Sequence, residues 1–129
     1  MIAIIDYDAG NLKSVEKALK SLNQEVIVSR DSSEILQADK VILPGVGAFG
    51  DAMNNLDKFG LVDTIKEVTC KNTPFLGICL GLQLLFDKSD ESFRSLISVI
   101  NSSFVNVCFL CKRSISSCKF IMSNSFSGL

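Results

Sequence analysis

Short, solidly apolar runs interleaved with segments of helical period constrain this chain more than any other feature of its sequence. Ile2 to Tyr7 is a continuous apolar stretch closed by Asp6 and Tyr7, and Glu25 to Ser29 is a second run. Lys40 to Leu43 is a third, halted by Pro44, and Pro74 to Ile78 is a fourth. Between them, Gly10 and Asn11 open a segment that sets Leu12, Val15, Leu19 and Leu22 on one helical face, and Ser32 to Leu36 reads as a short helical turn. Gly50 to Leu56 and Leu61 to Lys71 read as helices divided by Gly60, with Leu61, Ile65 and Val68 in register, and Leu80 to Phe86 restarts a helix. Strands that are apolar throughout, rather than alternating, belong to a parallel sheet covered on both faces, so an α/β fold is expected. Reactive groups in such sheets lie beyond the carboxyl ends of the strands. The loops after Ile5, Leu43 and Ile78 are therefore the places to look.

The composition excludes several classes of function. A chain of 129 residues with 47% hydrophobic and 21% charged residues fits one globular domain. Its formal charge of -1 leaves no basic stripe for nucleic acid or a membrane surface. The start lacks a basic segment and meets an acid at Asp6, so it reads as a buried strand rather than a signal peptide, and a cytoplasmic setting is expected. The 5 cysteines, an odd number without a secretory signal, read as free thiols. Histidine is absent from the sequence.

The chain has two unlike parts. No acid follows Glu91, and Ser92 to Leu129 is rich in serine and phenylalanine and holds no glycine before Gly128 and no proline. Residues 1–91 therefore read as a folded domain, and 92–129 as an irregular tail of a different origin, such as translation past a frame disruption. Cys108, Cys111 and Cys118 in that tail supply too few ligands for zinc, so no metal site is expected. Ser95 to Cys111 is too short and too rich in Ser and Asn to span a membrane.

Gly77-Ile78-Cys79-Leu80-Gly81 has the form in which a nucleophile occupies a sharp strand-to-helix turn. Glycines two residues to either side let backbone crowd in where a side chain would clash. Cys79 would then project at a helix N-terminus, where the dipole favours a thiolate, with the amide of Leu80 placed to meet a developing oxyanion. The competing structural reading, a small buried hydrophobe, usually holds for a lone cysteine, but here the flanking glycines, strand and helix supply the context the motif demands. Gln83, one turn on, could reach the same mouth. Pro44-Gly45-Val46-Gly47-Ala48-Phe49-Gly50 also follows a strand and suits backbone amides facing the cysteine; it lacks the spacing of a phosphate-binding loop, and read alone it is equally well a glycine-rich turn.

Taken together, Gly77 to Gln83, Pro44 to Met53, Asp6-Tyr7 and Gly10 to Val15 resemble the class I glutamine amidotransferases, and within that family the glutaminase subunits of imidazole glycerol phosphate synthase, an enzyme of histidine biosynthesis. The similarity runs from Met1 to about Glu91. It implies a flavodoxin-like fold of which only the N-terminal half is present. It also implies glutamine as substrate, hydrolysed through a thioester on Cys79, with ammonia passed to a (β/α)8-barrel cyclase subunit in a heterodimer, and no cofactor. Carried over by residue, Val46 or Gly47 and Leu80 form the oxyanion hole, Gly45 and Gln83 contact glutamine, and Gly10 and Asn11 face the cyclase. The family's cysteine is activated by a histidine oriented by a glutamate, both from a later segment, and neither has a counterpart here. Little or no activity of the chain alone is expected. The alternatives are a non-catalytic docking module for the cyclase, using Asp6 to Val15 and Pro44 to Asp51, or another thiol amidase on the same turn.

Overall fold

The computed structural model describes residues 1–86; the tail from 92 onward, with its cysteines and its suggested origin, lies outside the described residues. The elements run β1 (Ile2–Ile5), α1 (Leu12–Ser21), β2 (Val26–Ser29), α2 (Ser32–Gln37), β3 (Lys40–Gly45), α3 (Phe49–Lys58), α4 (Leu61–Cys70), β4 (Phe75–Cys79) and α5 (Leu80–Phe86). The strands form one parallel sheet in the order β2-β1-β3-β4. The α/β reading of the sequence is thus the observed architecture.

Alternation along each strand sorts its apolar side chains onto the two faces. Ala3, Ile5, Val41, Leu43 and Phe75 enter the larger core, which α2 closes with Ile35, α3 with Met53 and Leu56, α4 with Leu61, Ile65 and Val68, and α5 with Leu80, Leu84 and Leu85. Ile2, Ile4 and Ile42 point the other way, against Leu12, Val15 and Leu19 of α1. Leu22, expected on that same helical face, is 61% exposed, because α1 stops at Ser21 and Leu22 is already the turning C-cap residue. Asp31 starts α2 by accepting from the amides of Ser33 and Glu34, and those bonds, led by the Ser33 hydroxyl, hold its carboxyl below the usual range.

Two strand ends differ from the sequence expectation. β1 stops at Ile5 rather than Tyr7: its last rung is the Asp6 amide to the Ser29 carbonyl at 2.9 Å, and Asp8 then turns to a φ of 63°. β3 continues through Pro44 to Gly45 instead of stopping before the proline. The Val41 amide donates to the Pro74 carbonyl on the β4 side, so the alternating residues 42 and 44 direct their backbone groups toward β1. The ladder with β1 ends at Ile42, ahead of Pro44, which has no N–H to continue it on that side.

Candidate active site

Because the chain moves from β1 out to β2 and returns past β1 to β3, the order reverses between β1 and β3, which is where open α/β sheets offer a crevice. The carboxyl ends of β1, β3 and β4 carry Tyr7, Gly45 and Cys79, and Gly45 and Cys79 are direct partners in the sheet register.

Cys79 closes β4 and immediately precedes α5, with a φ of 55°. A side-chain-bearing residue in the left-handed region marks a backbone held in strain by its surroundings, the state of a nucleophile on a strand-to-helix turn. The flanking glycines explain how the turn is held. A Cβ on Gly81 would land on the Leu43 carbonyl oxygen, and one on Gly77 would lie 2.7 Å from the Leu82 Cα. On Gly45 it would meet the Leu80 Cβ at 2.9 Å and the Tyr7 hydroxyl at 2.6 Å. The first turn of α5 is therefore pressed directly onto the backbone of β3, and only residues without side chains admit that approach. Cys79 is half-buried, and among the described residues its thiol pairs with no other sulfur. Leu80, first in α5, is among the residues whose N–H has no partner within the helix.

The other site residues expected from the sequence fall as follows. Val46 is 48% exposed just past Gly45, and Gly47 follows at a φ of 98°. Gln83 is exposed on α5, one turn beyond the cysteine. Gly10 and Asn11 are exposed, Asn11 with a φ of 70° ahead of α1, and a Cβ on Gly10 would lie 3.1 Å from a methyl of Val46. The loop after β1 thus touches the loop after β3. An open groove of about 450 Å³ lies on the α1 and β2 side, lined by Ala9, Asn11, Leu12, Lys13, Glu16 and Val28, away from Cys79.

Two features at this end of the sheet have no catalytic or substrate-binding role in the sequence reading. Arg30, just past β2, bonds Asp6 at 2.7 Å and Asp8 at 2.8 Å and lies 4.5 Å from the centre of the Phe59 ring. Its charge is held on more firmly than usual, mainly by the bond to Asp6 and then by that to Asp8. Tyr7, 1% exposed, donates its hydroxyl to the Pro44 carbonyl at 2.7 Å, taking up the acceptor left where the β1–β3 ladder ends. A tyrosine ending a solid apolar strand is a readable signal, since a buried hydroxyl needs a partner. Which carbonyl it finds is a tertiary fact.

The strained cysteine, the glycine contacts and the sheet order define a thiol-bearing α/β domain, and comparison with known proteins gives its family. Residues 3–107 match the family model of "Glutamine amidotransferase class-I", and the chain belongs to that family. It is 57% identical over 90 residues to the imidazole glycerol phosphate synthase subunit HisH of Lactococcus lactis subsp. lactis, covering 70% of this chain and 45% of that protein. The subunit of the same name from Listeria monocytogenes serotype 4a is 52% identical over 101 residues, covering 78% of this chain and 49% of the relative. That from Sulfurimonas denitrificans is 50% identical over 91 residues, covering 70% and 44%. The chain spans about half the length of the curated relatives it matches. A crystal structure of a glutamine amidotransferase superposes with a TM-score of 0.57 at 20% identity, covering 66% of this chain and 45% of the other, which shows a shared fold. No helix among the described residues is long and apolar enough to cross a membrane.

Proposed function

We propose that residues 1–86 build the nucleophile half of a glutaminase that supplies ammonia for histidine biosynthesis. The observation that carries this reading is Cys79 at a φ of 55°, held on the turn before α5 and registered against Gly45. In this reading the Cys79 sulfur adds to the glutamine side-chain amide carbon, and the carbonyl oxygen becomes an oxyanion. The amides of Val46 or Gly47 and of Leu80 receive that charge, while Gly45 and Gln83 line the glutamine. Collapse of the adduct expels ammonia and leaves a thioester, which water then opens to glutamate. The identity to the HisH subunits supports both the substrate and an imidazole-forming cyclase as partner. Gly10, whose Cβ position lies 3.1 Å from a Val46 methyl, and Asn11 beside it would sit where that partner docks.

These 129 residues contain no histidine. Without that general base and acid, proton transfer to the leaving ammonia forfeits a factor of about 10² to 10⁴. Purified chain incubated with glutamine, with and without the cyclase subunit, is therefore expected to release ammonia slowly but to form a Cys79 adduct with glutamine-derived electrophiles. Failure of Cys79 to react selectively with them would overturn the glutaminase reading, and turnover at a normal enzymatic rate would overturn the inactivity. A docking role has its own support in the closeness of Gly10 to Val46, which brings two exposed loop positions together. Retention of the cyclase on immobilised chain would support it, and absence of retention would remove it.

A further inference from the structure

We propose that Tyr7 is a positioning residue for the nucleophile turn, its hydroxyl fixing the Pro44–Gly45 peptide plane from which Val46 and Gly47 leave the sheet beside Cys79. The inference rests on the glutaminase reading of that site.

The geometry runs through one peptide group. With the Val41 amide directed at β4, alternation turns the Pro44 carbonyl toward β1 and the Gly45 N–H toward β4. A trans peptide is planar, so these two groups are opposite ends of one rigid unit. One end is held by the buried Tyr7 hydroxyl at 2.7 Å, and the other belongs to the residue registered with Cys79. A Cβ on Gly45 would lie 2.6 Å from that hydroxyl and 2.9 Å from the Leu80 Cβ, so hydroxyl, strand end and first turn of α5 meet at a single point. Beyond it Val46 is 48% exposed and Gly47 has open space where a side chain would go, so Tyr7 is the buried tether described for this loop's departure. Burial raises the Tyr7 pKa to about 12, and the hydroxyl stays a donor through the neutral range.

The test compares two reagents on the full chain and its Tyr7→Phe variant, with the adduct located on Cys79 by mass spectrometry. Iodoacetamide alkylates by direct displacement: sulfur bonds to the methylene carbon, iodide leaves, and no oxyanion forms. The chloromethyl ketone analogue of glutamine gives the same kind of thioether with loss of chloride, but through an adduct whose oxygen carries negative charge. Tyr7→Phe is expected to slow the ketone about tenfold at saturating reagent without changing its half-saturation, and to leave iodoacetamide within about twofold. Equal rates for the ketone, or equal slowing of both reagents, would overturn the positioning role. If the unaltered chain shows neither saturation nor preference for the ketone, the glutaminase reading falls and takes this inference with it. Should Tyr7→Phe not fold, fluorotyrosine labels this position alone, because the sequence has 1 tyrosine. Its fluorine resonance is expected to move on ketone labelling and not on iodoacetamide labelling, and a resonance indifferent to the ketone overturns the proposal.

Discussion

Cys79 holds a φ of 55° that glycine would adopt without strain, so a cysteine there costs stability. Cys79→Gly is expected to be more stable than Cys79→Ala by about 1 kcal/mol, since alanine keeps the strained backbone and glycine relieves it. Urea unfolding of the two variants measures the difference, and equal midpoints would mean that the turn is not strained. The cysteine was legible because its neighbours are glycines at fixed spacing. Tyr7 and Arg30 were legible only as residue types: that the first meets Pro44 and the second meets Asp6 and Asp8 depends on strand register, which no local pattern encodes.

α5 packs against β3 with no space for a side chain at Gly81, whose Cβ would coincide with the Leu43 carbonyl. Gly81→Ala must push the helix off the sheet and is expected to cost about 3 kcal/mol or more, with Cys79 becoming more accessible to a thiol reagent. Thermal unfolding together with alkylation rates checks both effects, and a neutral substitution would show that α5 is not seated as described. The elements themselves were largely readable, because each strand is a solid apolar run and α4 carries Leu61, Ile65 and Val68 in helical register, all buried. The ends were not. Pro44 reads locally as a strand terminator, but β3 passes through it because Pro44 and Gly45 still pair with Ile78 and Cys79 of β4.

For the whole molecule, the single buried tyrosine makes stability depend on alkaline pH. Its pKa rises from 10.0 to about 12 on burial, so the unfolded chain loses this proton first. The stabilisation is complete below pH 10 and falls away as pH climbs toward the folded value, by on the order of 2 kcal/mol. Unfolding free energies measured across that window should show the decline in the unaltered chain and lose it in Tyr7→Phe. The strand order has a further consequence, for assembly in time. β1 lies inside the sheet, where Ile2 meets Val26 on one side and Lys40 on the other, and among the described residues β4 joins only β3. As the polypeptide leaves the ribosome, β1, α1 and β2 can pair while the rest is still being made, but β1 gains its second neighbour only when β3 emerges. The strained turn at Cys79 comes later still. Its backbone is bent against a surface synthesised ahead of it, so the thiol is not presented until the platform that must restrain it already exists.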